Sequence, residues 1–420
     1  MTTMEHSRVA GSVILCLAVS LLPEVGHATE GYFALGYSPA ARGVAGAGVA
    51  YSQDAMSGAI NPASVATVGR ELTFGFQAFS PSRGYTGTGT GFVAPGEVKS
   101  DKEFFPVPNM AYNLPLANGA VVNFSAYGNG GMNTSYPDVA NANCGGGSGV
   151  YCGGEAGVDL TQLFLSVTYA QKLGRFSYGI APTVAVQAFE AKGLVNFSGM
   201  SVDGSALTNN GLEFSYGLGL RLGMQYELSD QWTLGLAAQT KFDMSEFDDY
   251  AGLFEGGGDF DIPASVTVGL AYTPTPDLAL MLDYQKIFYS DMPAVGNASD
   301  AGALGADGGA GFGWDDVEVI RLGVEWKASP DMTWRAGYAH ASNPIGSEDV
   351  TFGILAPGVV EDHFAFGGSR RLNDRDRIDF SISYVPENTV SGPIPVANGG
   401  GTAELEMRQI SASVGWTRSF

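Results

Sequence analysis

The stretch Gln409-Ile410-Ser411-Ala412-Ser413-Val414-Gly415-Trp416-Thr417 alternates without a break. Ile410, Ala412, Val414 and Trp416 share one face, whereas Gln409, Ser411, Ser413 and Thr417 share the other. Successive side chains of a β-strand point to opposite faces, so this segment is a strand with one apolar and one polar side. The period of two recurs in Phe214, Tyr216, Leu218, Leu220, Leu222, Met224 and Tyr226 against Ser215, Arg221 and Gln225. It recurs again in Ile378, Phe380, Ile382 and Tyr384 against Asp379, Ser381 and Ser383. Segments of about ten residues or more exceed the usual strand of a soluble sandwich. They suit a transmembrane β-barrel, with the apolar face on lipid and the polar face in the lumen.

Outward from these strands, short polar turns alternate with long glycine- or acid-rich connections. The short ones centre on residues 117–119, 174–175, 229–231, 273–277, 329–331 and 373–376, and all carry turn chemistry. The long ones fall near 86–102, 136–156, 193–210, 248–260, 293–315, 342–359 and 387–402. Six short turns and seven long loops close an all-β, 14-stranded antiparallel barrel over residues 70–420, with both ends on the short side. Short turns face the periplasm in outer-membrane barrels, which sets the orientation and the localisation in a bacterial outer membrane. Tyr226, Trp232, Trp326 and Trp334 flank short turns, where an interfacial aromatic girdle belongs.

Composition agrees. Only 15% of residues are charged, yet beyond the N-terminus no run of 18 apolar residues occurs, so helical membrane spans are excluded. The net charge of -22 argues against nucleic acid, whose phosphates need basic patches. Glu246, Asp248, Asp249, Glu255, Asp259 and Asp261 crowd one loop without fixed ligand spacing, so they are read as a solvated surface facing cation-bridged lipid headgroups rather than a calcium site. No metal and no cofactor are expected. The expected surroundings are outer-membrane lipid and lipopolysaccharide around a monomer.

Residues 1–28 carry Arg8, an apolar run from Val9 to Leu22, and Gly26-His27-Ala28, the pattern of a secretory signal peptide cleaved after Ala28. The run is too short for a membrane anchor, and Leu15 before Cys16 stands where a lipoprotein signal needs a small residue. Cys144 and Cys152 remain, close together in a glycine-rich loop of an exported chain, which reads as a loop disulfide. Two free thiols or half a metal site are the alternatives, the latter short of histidine. Residues 29–69 do not alternate and are dense in Gly and Ala; they read as a hatch folded inside the lumen, with Ser52 capping a short helix that stops near Asn61.

Several of these residues together resemble a known family. Glu30-Gly31-Tyr32-Phe33, the run from Ala41-Arg42-Gly43 to Ala47-Gly48, Asp54-Ala55 and above all Asn61-Pro62-Ala63 resemble the hatch of the FadL/TodX-like outer-membrane transporters of long-chain fatty acids and other hydrophobic compounds. Val107-Pro108-Asn109-Met110 resembles that family's second strand. The resemblance implies a fourteen-stranded barrel plugged by the hatch, ligand capture between outer loops, a binding site inside, and lateral release through a kinked third strand. Here Gly128-Asn129-Gly130-Gly131 interrupts the third strand, as a bulge or as its end. Phe420, Trp416 and Val414 imply recognition by the barrel-assembly machinery, with Arg418 where an aromatic is more usual.

For a hydrophobic small-molecule ligand, Leu194, Phe197, Met200, Leu253 and Phe254 in the outer loops are candidates for an apolar groove, although each also suits packing within its own loop. Arg221, Arg321 and Arg335 fall on the lumen side, where they suit a ligand carboxylate or charge balance against Asp283, Glu325 and Asp379. Asp362-His363 lacks a placed serine nucleophile, and Gly87-Thr88-Gly89-Thr90-Gly91 opens no helix, so neither enzymatic chemistry nor a nucleotide cradle is expected. Two classes of function remain: a transporter of hydrophobic compounds, and a general diffusion porin or structural protein without a dedicated ligand. A plug favours the first.

Overall fold

A computed structural model describes residues 30–420, so the signal peptide read in residues 1–28 lies outside the described residues. Among the described residues one antiparallel sheet holds sixteen strands, two of which, Gly96–Lys99 and Asp243–Met244, are short additions. The other fourteen form the wall. In chain order they are β1 (Glu71–Thr88), β2 (Phe105–Pro115), β3 (Ala120–Asn133), β4 (Gly157–Leu173), β5 (Phe176–Lys192), β6 (Glu213–Glu227) and β7 (Trp232–Gln239). They continue as β8 (Ser265–Thr275), β9 (Leu278–Ile287), β10 (Val317–Ser329), β11 (Met332–Ala341), β12 (Asp362–Arg371), β13 (Asp376–Pro393) and β14 (Thr402–Ser419). Each strand pairs with its neighbour, and β1 pairs with β14 from Glu71 opposite Ser419 to Thr88 opposite Thr402, which closes the barrel.

The expected alternation of short and long connections holds, with local differences. Strand β13 runs on to Pro393 across an irregularity between Val385 and Asn388, so the last outer connection shrinks to residues 394–401. Gly87 and Thr88 belong to β1, opposite Ala403 and Thr402, rather than to a loop. The faces divide as the alternation requires: Ile410, Val414, Ile382 and Leu218 are exposed outward, while Gln409, Ser413, Asp379 and Arg221 are buried inward. At the short-turn end Trp232 stacks on Tyr272, and Tyr226 and Trp326 are exposed at the same level.

The segment 30–69 lies in the lumen. Helix α1 (Pro39–Gly43) is capped by the Ser38 hydroxyl and contacts β11 to β14, and two 3-10 turns follow at Ala55–Ala59 and Pro62–Thr67. Their caps differ from expectation. Asp54, with Ser57, caps the first turn, whereas Ser52 donates to the Ser64 carbonyl at 2.8 Å. Asn61 starts the second turn: its Oδ1 accepts from Ala63 N at 3.0 Å and its Nδ2 donates to Val49 O at 2.7 Å and Met224 O at 3.1 Å. Wall glycines make this fit possible. A Cβ on Gly223 would lie 2.0 Å from Asn61 Oδ1, and one on Gly179 would lie 2.3 Å from the Pro62 carbonyl carbon.

Long loops fold over the outer mouth. Tyr136 donates to Ile354 O at 2.8 Å and Tyr151 to Thr351 O at 2.7 Å, both fully buried, which joins loops from opposite sides of the barrel. Cys144 and Cys152 are bonded within the first of these loops, their Cα atoms 5.2 Å apart.

Candidate functional site

Polarity inside the barrel changes along β10, β11 and β14. Towards the short turns the lumen carries Thr417, Ser413 and Gln409 on β14, Glu325 and Arg321 on β10, and Arg335 on β11; towards the long loops the same faces carry Met407 and Leu405, Val319 and Val317, and Ala339 and Ala341. The outer third is therefore an apolar chamber, filled by loop aromatics such as Phe254, Phe260, Tyr289 and Trp314. Each such side chain contributes roughly 1.5–3 kcal/mol by leaving water.

Within that chamber, Leu253 and Phe254 face Ala294, Leu304, Phe312 and Phe352 across a crevice of about 20 Å³ that is almost wholly apolar. Phe197 packs on Phe352 of the crevice wall at 5.6 Å between ring centres, and Leu194 is buried nearby. Met200 behaves differently: its side chain is 42% exposed on the outer surface and does not join the crevice. Asp259 sits at the foot of the same loop, beside Phe260. Burial and the neighbouring Asp261 raise its carboxyl to about 6. A folded-state value above the unfolded one means that this group stabilises the loop when protonated, and that the stabilisation is lost as pH rises from about 4 through 6. Hydrogen exchange in residues 240–264 is accordingly expected to be slower at pH 5 than at pH 7.5 after correction for intrinsic rates, and Asp259→Asn should remove the difference. An unchanged pH dependence in that variant would contradict the assignment.

Below the chamber, the hatch meets the wall through buried charges. Arg321 donates from Nε to Glu30 Oε1 at 3.0 Å and from Nη2 to Glu30 Oε2, with both residues buried. Arg335 donates from Nε to Glu325 Oε2 at 2.7 Å and faces Asp379 at 3.4 Å. Asp283 instead accepts from Gly48 N at 2.7 Å and Val49 N at 2.9 Å. Arg221 is the exception among the three arginines. It donates to Tyr127 OH at 2.6 Å and to Ala59 O, makes no ion pair among the described residues, and leaves its Nε unbonded. It lines a luminal cavity of about 40 Å³ together with Phe33, Leu35, Ile60, Arg321 and Gln239. That space holds a few waters; a cavity able to take benzene is nearer 150 Å³. On the short-turn side of the hatch a larger vestibule, about 700 Å³, is lined by Gln53, Glu325, Lys327, Arg335, Arg371 and Arg377 and is mostly polar.

The wall itself has a seam. Strands β2 and β3 pair only from Asn109 opposite Tyr127 down to Pro115 opposite Val121. Above that point, among the wall strands, residues 105–108 pair only with β1 and residues 128–133 only with β4. Pro106 and Pro108 lack the N–H that a ladder needs. Across the seam, the register of β3 against β4 shifts between Gly128 and Gly130, so the third-strand glycines form a bulge and the strand continues to Asn133. The hatch covers the bare edge of β3 from inside: Gly131 N donates to Tyr32 O at 3.0 Å and Ala34 N to Asn129 O at 3.0 Å. Tyr289, from the loop that also lines the crevice, accepts from Tyr32 N at 3.0 Å and donates to Glu30 O at 2.7 Å. Phe79, Phe105 and Val107 form a small apolar cluster on the lumen side of β1 and β2 beside the seam.

Sequence reasoning missed Glu30, Tyr289 and this cluster as site residues. Only the inward-facing parity of Phe79, Phe105 and Val107 on otherwise polar strand faces could have signalled the last. Asp362 and His363 point to opposite sides of β12, as adjacent strand residues must; Asp362 instead meets His340 at 3.0 Å on the outward face.

Comparison with known proteins gives consistent results. A family model described as outer membrane protein transport protein (OMPP1/FadL/TodX) matches residues 28–408. Among solved structures, the Pseudomonas putida toluene transporter TodX is 18% identical with a TM-score of 0.68, over 93% of this chain and 100% of that one. A Pseudomonas aeruginosa FadL homologue is 17% identical with a TM-score of 0.65, over 93% and 100%. The Ralstonia pickettii toluene transporter TbuX is 16% identical with a TM-score of 0.64, over 92% and 99%. No curated protein matches the sequence.

Proposed function

Because the chain belongs to the outer membrane protein transport family (OMPP1/FadL/TodX), we propose that it carries small hydrophobic compounds from the outside into the outer membrane, by capture in the loops and release through its wall. The observation that carries this reading is the unpaired seam between β2 and β3, flanked by Phe79, Phe105 and Val107. An apolar molecule captured beside Leu253 and Phe254 has two ways onward. The straight one crosses a polar vestibule, where desolvating the lining groups costs more than the ligand returns. The lateral one leads over an apolar patch to lipid. Since the luminal cavity is about 40 Å³, the hatch turn at residues 30–34 has to leave the β3 edge before a ligand passes.

Substrate class follows from the same groups. A hydrocarbon needs only the apolar surfaces, in keeping with two similar structures that are toluene transporters. A fatty acid brings a carboxylate, and Arg221, which lines the luminal cavity, has no ion pair among the described residues, whereas Arg321 and Arg335 are already neutralised. The test is uptake of labelled toluene and of a long-chain fatty acid by cells that lack such a transporter and express this chain. Leu253→Ser with Phe254→Ser is expected to lower uptake at limiting concentration about fivefold or more, and Arg221→Gln to lower that of the acid alone. No uptake of either compound, together with a steady salt conductance in planar bilayers, would replace this reading with a diffusion porin.

A further inference from the structure

Arg83 of β1 stands at the upper end of the seam and is 3% exposed. Its Nη1 donates to the carbonyl of Asn133, the last residue of β3, and its Nη2 to the carbonyl of Lys102, just before β2. The same guanidinium lies 5.3 Å from the centre of the Phe105 ring. No ion pair reaches it among the described residues, and its Nε has no hydrogen-bond partner. One further backbone bond, Asp101 N to Ser135 O at 2.8 Å, lies above it, and the ladder at Asn109 and Tyr127 closes the seam below.

A buried arginine with no carboxylate in direct contact is an expensive way to stabilise a wall, since an apolar side chain of similar volume fills the space without the cost of desolvating a charge. What the guanidinium does that no apolar group can is to hold two carbonyls at once with its planar fork, and here the two belong to opposite banks of the seam. We propose that Arg83 is the latch that sets the aperture of the β2–β3 seam, and thereby the largest hydrophobic molecule that passes. This rests on the proposal that ligand leaves through that seam. The latch bridges carbonyls directly, and its fork geometry is what a lysine cannot reproduce. Its aliphatic stem and Phe105 give the upper rim an apolar lining beside Phe79 and Val107.

The test compares uptake of toluene with that of pyrene, a much wider hydrocarbon, in intact cells expressing the full chain. Arg83→Met keeps the stem on Phe105 and removes the bonds to Asn133 O, Lys102 O and, at 3.5 Å, Ser100 Oγ; Arg83→Lys keeps the charge and loses the fork; heat-modifiable migration on gels reports that each barrel is folded. The pyrene-to-toluene uptake ratio is expected to rise about fivefold or more in Arg83→Met and to rise also in Arg83→Lys, with toluene uptake within about twofold of the parent. A ratio unchanged in folded Arg83→Met overturns the latch, and a parental ratio in Arg83→Lys overturns the bridging geometry. Gly130→Val, which obstructs the seam from the other bank, separates the two levels. If it leaves toluene uptake intact, the lateral route is wrong; if it blocks toluene while the Arg83 variants keep the parental ratio, only the latch is wrong.

Discussion

Gly130→Val is expected to leave the barrel closed and to cut toluene uptake at least tenfold. Valine suits a strand, and position 130 keeps its pairing with Gln162 of β4, so closure of the wall is not at risk. The conflict lies inside. A Cβ at Gly130 would stand 1.8 Å from the carbonyl oxygen of Tyr32, which is backbone and cannot rotate away. Relief requires the hatch turn to give up the bonds Gly131 N to Tyr32 O and Ala34 N to Asn129 O, about 1 kcal/mol each, on top of about 1–3 kcal/mol of overpacking. The docking of residues 30–34 thus weakens by roughly 3–5 kcal/mol, while the new isopropyl group adds bulk beside Asn129 in the bulge. Uptake at the parental level would show that ligand does not cross this part of the wall. Raised uptake would make the docked hatch, and not the width of the seam, the barrier.

Arg321→Met is expected to release the same turn by a different route. Glu30 is 1% exposed, and without Arg321 its carboxylate is left buried with no countercharge. Breaking one side of a buried pair costs about 3–5 kcal/mol, on the order of a hundredfold or more in the local opening equilibrium. The readout is hydrogen exchange at the Ala34 and Gly131 amides, the two donors that join hatch and β3. Both should lose at least a hundredfold in protection, while amides in the β1–β14 ladder stay protected. Glu30→Gln combined with Arg321→Met should recover most of the loss, because neither partner then leaves a charge behind. Protection unchanged in Arg321→Met would mean that Tyr289, which holds Tyr32 N and Glu30 O, is sufficient to dock the turn by itself.

The two variants act on different sides of one contact, and their comparison is informative for transport. Gly130→Val frees the hatch and fills the seam; Arg321→Met frees the hatch and leaves the seam empty. If the hatch is the moving part and the seam the passage, uptake falls in the first and does not fall in the second.

Much of this architecture is legible in the chain, and the reason is local. Side-chain direction along a strand repeats every two residues, so Gln409 to Thr417 already separates lipid from lumen, and the same parity places Arg221, Arg321 and Arg335 inside. Turn chemistry is equally local, which is why the count of short and long connections, and with it the fourteen strands and their orientation, needs no contact map. The Asn61-Pro62-Ala63 motif marks the hatch because an Asn cap and a proline at the first turn position act within three residues.

Parity, however, says which side a group faces and not what it meets there. That Arg321 answers Glu30 depends on where the hatch lies, some 290 residues away along the chain, and that Arg335 answers Glu325 and Asp379 depends on strand register. The same holds for Met200, exposed although its loop neighbours are buried, and for Ser52, whose hydroxyl serves Ser64 instead of a helix start. The seam is the strongest case. Gly128 to Gly131 and the two prolines of β2 permit a gap, but a gap exists only because two strands far apart in their other partners fail to pair above Asn109, and because Tyr32, Ala34 and Arg83 reach it from elsewhere. Periodicity is written in neighbours a few residues apart, whereas the path of a ligand is made by surfaces that only folding brings together.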